Sequence, residues 1–205
     1  MEFLDVIYTQ RAVRKFKTDP VSDELIYKIL DAAVRAPNGG NLQNWVFIVV
    51  KDQDIRDKLG VIFKKASEKY SERSPNPVNS VDVKPKSWNL TDNINEVPVL
   101  LIPCIKHSGS RGNMVRGAHI YPAVQNMLLT ARSLGLGTVI TTIHRLFEEE
   151  IKDLLNIPDN VDTAALIPLG YPADGVRFGP TTRRPVAEVS FIDKWDSQPF
   201  DIVQS

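Results

Sequence analysis

The chain has one cysteine, Cys104, among its 205 residues. An internal disulfide is therefore excluded, and a reducing compartment is the simplest setting. Net charge is absent as well, because 25 Lys and Arg balance 25 Asp and Glu. No global field draws the protein to nucleic acid or to an anionic membrane surface, and weak mutual repulsion is compatible with self-association. No apolar run approaches the roughly 20 residues of a membrane-spanning helix. The opening Met1-Glu2-Phe3-Leu4-Asp5 lacks the basic and then apolar layout of a secretory signal. A cytoplasmic protein is expected. His107, His119 and His144 have no metal-ligand spacing with each other or with Cys104, so no metal is expected. No Walker A pattern and no serine in a nucleophile elbow occur. Gly135-Leu136-Gly137 begins like a dinucleotide fingerprint, but Ile140 stands where the third glycine must fall.

The remaining chain alternates helix and strand signals. Residues 2–9 read as a short helix. Ser22 caps a second one, with Asp23 and Glu24 in its positive first turn and Leu25, Ile29, Leu30, Ala33 and Val34 at helical spacing. Pro37 stops it. Residues 45–50 are a β-branched and aromatic run, expected as a buried strand. An amphipathic helix follows over 52–70, with Ile55, Leu59, Ile62, Phe63 and Ala66 on one side. Residues 71–95 are rich in Ser, Pro, Asn and Lys and read as a long loop, either a lid or a plain surface excursion. Strands are expected over 97–105, 136–142 and 163–170, and helices over 117–134 and 147–155. Glu148, Glu149 and Glu150 read as the acidic start of the last helix. Beyond Tyr171, frequent Pro and Gly predict an extended arm. The class is α/β or α+β around one sheet.

Two segments carry candidate chemistry. Arg11 and Arg14 lie three residues apart, and a guanidinium matches phosphate geometry through a rigid fork of donors. A solvated basic edge, Arg11-Arg14-Lys15-Lys17, is the plain alternative. Residues 36–45 read Ala-Pro-Asn-Gly-Gly-Asn-Leu-Gln-Asn-Trp. Their glycines permit close approach to a ligand, and Asn38, Asn41 and Gln43 offer donors and acceptors together. An ordinary helix-ending turn is the plain alternative here.

The order Arg11-Ala-Val-Arg-Lys-Phe16, Pro20-Val-Ser-Asp-Glu24, Ile29-Leu-Asp-Ala-Ala33 and then Ala36 to Trp45 resembles the opening of the nitroreductase family. The likeness continues in Tyr121-Pro-Ala-Val-Gln-Asn-Met-Leu-Leu129, Leu134-Gly-Leu-Gly-Thr138, Ile167-Pro-Leu-Gly-Tyr-Pro172 and Arg183-Arg-Pro185. It spans about residues 1–192, leaving 193–205 as a C-terminal tail. The resemblance implies an α+β fold, with a mostly antiparallel central sheet flanked by helices and an extended C-terminal arm. It implies a homodimer with FMN at the subunit interface. By matching positions, Arg11, Ala12 and Arg14 would meet the FMN phosphate and ring edge. Asn38, Gly39, Asn41 and Gln43 would approach the ring or ribityl chain. Thr141, Thr142 and Ile143 fall near the reactive flavin nitrogen, Arg183 at the phosphate and Asn89 against the ring. Gln10, Ala12 and Thr142 depart from the family's commonest residues, respectively arginine, serine and an acid.

The resemblance further implies NADH or NADPH as electron donor and a small acceptor, such as a nitroaromatic or a quinone, in ping-pong order. No side-chain nucleophile is needed; Arg14 and backbone donors would stabilise charge at the pyrimidine edge of the reduced ring, and Thr142 or the Ile143 amide would hydrogen-bond the reactive nitrogen and tune the flavin. Trp88 would cover the open face or anchor its loop. A reductive dehalogenase, a flavin-fragmenting enzyme and a non-catalytic FMN sensor or store are the alternatives on this scaffold.

Overall fold

The computed structural model describes residues 1–73, 90–109 and 114–200. Its helices are α1 (Phe3–Thr9), α2 (Asp23–Ala33), α3 (Gln53–Arg73), α4 (Leu90–Asn93), α5 (Met114–Ser133) and α6 (Glu148–Leu155). Its strands are β1 (Trp45–Val50), β2 (Val99–Lys106), β3 (Gly137–Thr138), β4 (Val161–Thr163) and β5 (Ile167–Gly170). All strand pairs are antiparallel, in the order β1-β2-β5-β3, and β4 also pairs with β2.

β2 is the axis, and its apolar residues divide by parity. Val99, Leu101 and Ile105 face the α2–α5 layer, where Ile29, Val124 and Met127 are buried. Leu100, Ile102 and Cys104 face the α3–α6 layer, with Leu59, Phe63 and Ile151. A period of two along a strand covered on both faces explains its unbroken apolar run. β1 departs from expectation. Lying at the sheet edge, it leaves Trp45 to Val49 only half-buried.

The expected strand over 163–170 is two strands with a bulge between them. Cys104 opposes Thr163 and Leu101 opposes Ile167, so three steps along β2 meet four along its partner. The cause is local. The Pro103 carbonyl accepts from Ala164 N at 2.8 Å, so Pro103 faces this edge and brings no N–H to it. The slack pairs Leu166 with Thr141 instead. The expected strand over 136–142 correspondingly shrinks to β3 and this one bridge.

Both glycines of the failed fingerprint have structural work. Gly135, at φ +80°, ends α5, and Leu136 N closes a Schellman bond to the Ala131 carbonyl at 2.8 Å. A Cβ on Gly137 would lie 2.7 Å from Val13 Cγ1, so Val13 packs directly on that backbone.

The 71–95 segment is less of a loop than expected. α3 runs on to Arg73, α4 starts at Leu90, and Leu90, Ile94 and Val97 are buried. Trp88 and Asn89 lie outside the described residues. Beyond Gly170, among the described residues, one short 3-10 turn, Val186–Glu188, interrupts the extended arm. Among the described residues, no helix is long and apolar enough to cross a membrane.

Candidate functional site

Thr9 to Lys17 runs along the β3 edge. Ala12 bridges to Thr138, and Val13 N donates to the Thr138 carbonyl at 2.9 Å. Val13 points inward, while Arg11, Ala12 and Arg14 are exposed. The start of the C-terminal arm lies alongside. Lys17 N donates to Tyr171 O, Ala173 N to Lys15 O and Gly179 N to Thr9 O, at 2.8, 3.0 and 3.1 Å. The arm carrying Arg183 is thereby fastened to the segment carrying Arg11 and Arg14. Arg11, Arg14 and Arg183 form no ion pair among the described residues. Arg183 Nη1 donates to the Thr182 carbonyl at 2.9 Å, and three guanidiniums without a carboxylate partner fit an anionic group of high charge.

The carboxamide segment is built differently. Gly40, Asn41 and Gln43 have φ of +59°, +52° and +48°, so two non-glycine residues hold left-handed backbone. Asn38 sustains this shape: its Oδ1 accepts from Gln43 N at 2.9 Å, and its carbonyl accepts from Asn41 N at 3.0 Å. Gln43 Nε2 donates to Asn41 Oδ1 at 3.1 Å. Such backbone costs on the order of 1–3 kcal/mol per residue and is concentrated at functional sites.

This segment rests on α5, through a residue the sequence reading discarded. Asn38 Nδ2 donates to the His119 carbonyl at 3.2 Å, and a Cβ on Gly39 would lie 2.5 Å from His119 Cε1. Pro122 lies three residues on, inside α5, and has no N–H to give to the Ala118 carbonyl. The sequence alone marks His119 only as a possible metal ligand.

Thr141, Thr142 and Ile143 leave the sheet at the bulge. Thr141 Oγ1 donates to the Leu166 carbonyl at 2.6 Å. Thr142 precedes the 3-10 turn Ile143–Phe147, makes no side-chain cap and is exposed, so its hydroxyl is uncommitted. The N–H groups that open such a turn also lack internal partners. A buried chain of polar groups lies beneath. Thr163 N and Oγ1 both donate to Glu148 Oε1 at 2.7 Å. The hydroxyl's one hydrogen is then committed, so His144 Nε2, 3.0 Å away, is the donor to Thr163 Oγ1. Burial first, and then the Arg145 charge, push the His144 pKa down to about 4, against an opposing pull from the Thr141 backbone. Glu148 is thus more than an acidic helix start: its buried carboxylate ties α6 to β4. Arg145 N donates to the Thr142 carbonyl at 3.1 Å. Beside this turn lies a cavity of about 290 Å³, lined among others by Arg116, Tyr121, Arg145 and Thr163.

Cys104 takes no part. It is fully buried, and desolvation pushes its thiol up to about 12. Among the described residues, no group of His, Cys, Asp and Glu is arranged to hold a metal.

One chain does not bring all the candidates together. The arginine segment lies outside β3 and the carboxamide segment precedes β1, four strand spacings or on the order of 19 Å across the sheet. They also sit at opposite ends of it, since Trp45 opposes Ile105 while Thr138 is level, through Leu169, with Val99.

Residues 7–171 match the model of the Nitroreductase family. The chain belongs to the nitroreductase family. This nitroreductase-family chain is 34% identical over 178 residues to a "Putative NADH dehydrogenase/NAD(P)H nitroreductase" of Methanothermobacter thermautotrophicus, covering 85% of this chain and 79% of that one. It is 27% identical over 196 residues to iodotyrosine deiodinase 1 of Rattus norvegicus, covering 92% and 68%. Its fold matches a crystal structure of oxidized iodotyrosine deiodinase bound to FMN and 3-iodo-L-tyrosine, with a TM-score of 0.74, 24% identity and coverage of 90% and 97%. The nitroreductase-like α+β fold, an antiparallel sheet with flanking helices, agrees with expectation.

Proposed function

We infer that two copies of this chain bind FMN between them and use it to carry electrons from NADH or NADPH to a small organic acceptor. The observation that carries this reading is the separation of the two candidate segments. Arg11, Arg14 and Arg183 occupy one corner of the sheet and Asn38 to Gln43 the other, so a second copy is needed to complete the site. Residues 1–192 act as one FMN-binding unit, with the rest as a tail, in a cytoplasmic protein.

The residues fit such a group in kind. Guanidiniums without a carboxylate partner suit a phosphate, and the Asn38–Gln43 carboxamides and left-handed backbone suit a flat ring with mixed donors and acceptors. The uncommitted Thr142 hydroxyl and the Ile143 N–H suit a ring nitrogen. FMN, when bound, supplies the electron-transfer chemistry. Ala12 leaves room and adds no hydroxyl at the phosphate end. Donor and acceptor take turns at one place, in ping-pong order, and the small acceptor is assigned the cavity beside Arg145.

Purified protein incubated with FMN and gel-filtered is expected to be yellow, with about one flavin per chain, and to oxidise NADH or NADPH when a quinone or nitroaromatic is supplied. A colourless protein overturns the reading. Arg14→Ala is expected to weaken FMN retention by about 1.5–3 kcal/mol, the value of a charged hydrogen bond. A second reading, reductive dehalogenation, draws on the deiodinase relatives and on Thr142 in place of an acid. Release of iodide from 3-iodo-L-tyrosine, with slow turnover of quinones, would select it.

A further inference from the structure

Arg132 lies in the last turn of α5, and its surroundings exceed what a helix-ending cation needs. Its guanidinium carbon sits 4.1 Å from the centroid of the Phe178 ring, face to face with the arm. Its Nε donates to Thr9 Oγ1 at 3.0 Å. Thr9 Oγ1 in turn donates its one hydrogen to the Asp5 carbonyl, so it faces Arg132 as an acceptor. The Thr9 carbonyl accepts from Gly179 N at 3.1 Å, one residue after Phe178. One side chain thus closes a ring through α1, α5 and the arm. Arg11 follows Thr9 by two residues, and Arg183 follows Gly179 by four. Lysine reproduces this arrangement only in part: its ammonium keeps the charge over the ring but lacks the guanidinium fork that also reaches Thr9.

We propose that Arg132 is a positioning residue for the phosphate end of the cofactor, fixing the segment that carries Arg11 and Arg14 against the segment that carries Arg183. It acts through Thr9 and Phe178 without touching the ligand. The inference rests on the FMN reading above, and it separates phosphate recognition from ring recognition.

The test compares FMN with riboflavin, which has the same ring and no phosphate. Both are titrated against the whole wild-type protein, Arg132→Met, Arg132→Lys and Phe178→Leu by flavin fluorescence quenching. The wild type is expected to prefer FMN at least tenfold. Arg132→Met and Phe178→Leu are each expected to shrink that preference at least fivefold while riboflavin affinity stays within twofold, and Arg132→Lys to recover part of it. A general structural defect would weaken both ligands in parallel, and that result overturns the role of Arg132. So does an undiminished preference in the variants. A wild type that binds FMN no better than riboflavin, or not at all, overturns the cofactor reading itself and the inference with it. Should Arg132→Met fail to fold, Phe178→Leu and Arg132→Lys decide the question by the same ratio.

Discussion

Thr163 gives both its backbone N–H and its hydroxyl to a single oxygen of Glu148, each at 2.7 Å. This pair locks α6 onto the bulged edge of the sheet, directly under the turn that carries Thr142. Glu148→Ala strands two buried donors, each formerly bonded to a carboxylate, and is expected to cost about 3 kcal/mol. The melting temperature should fall by about 6–12 °C for a chain of this size. Glu148→Gln keeps one acceptor oxygen and should lose about 1 kcal/mol. Calorimetry on cofactor-free protein measures both.

His144 makes stability depend on pH over a defined window. Its pKa is about 4 in the folded chain, against 6.5 for a free histidine. The unfolded chain therefore takes up a proton first as pH falls. The contribution of neutral His144 is complete above about pH 6.5 and is lost progressively down to pH 4, amounting to about 3 kcal/mol. Urea midpoints measured between pH 7 and pH 4 should fall accordingly. His144→Asn, which does not titrate, should flatten that slope.

Gly137 and Val13 form a testable pair. Gly137→Ala places a methyl group 2.7 Å from Val13 Cγ1 and should destabilise the chain by about 1–3 kcal/mol. Val13→Gly removes all three crowding atoms, including Cβ at 2.8 Å, which an alanine would keep, so the double variant should be more stable than the sum of the single losses predicts. A double-mutant cycle by urea unfolding measures the coupling. Strict additivity would contradict the contact.

Cys104 should be inert in the folded protein. A thiol pushed up to about 12 is ionised to the order of 10⁻⁴ at pH 8, and this one is fully buried. A disulfide reagent should find no thiol in native protein and one per chain in guanidinium.

The elements with a strong local period were legible in the sequence. Ser22 caps α2 by accepting from Leu25 N at 3.4 Å, and Ile29 and Ala33 are buried on the expected face. Of the apolar stripe Ile120, Val124, Met127, Ala131 and Leu134 expected along α5, the first four are buried and Leu134, just past the helix end, is half-buried. What failed depended on pairing between distant residues. The bulge at residues 163–167 follows from Pro103, some sixty residues earlier, and no periodicity within 163–170 reports it. β1 reads as fully buried because its composition is apolar, but its place at the edge is a property of the sheet. The arginine and carboxamide segments were visible because each is compact in sequence. His119, Arg132 and the His144–Thr163–Glu148 chain were not, since each is an isolated side chain whose partner arrives from another element.

The bracing of residues 9–17 by residues 171–179 also bears on synthesis. A ribosome must deliver more than four-fifths of the polypeptide before that corner has its second wall. Earlier in translation, the first arginines have only β3 to hold them, so a nascent chain stalled upstream of Tyr171 should retain a phosphorylated ligand there poorly.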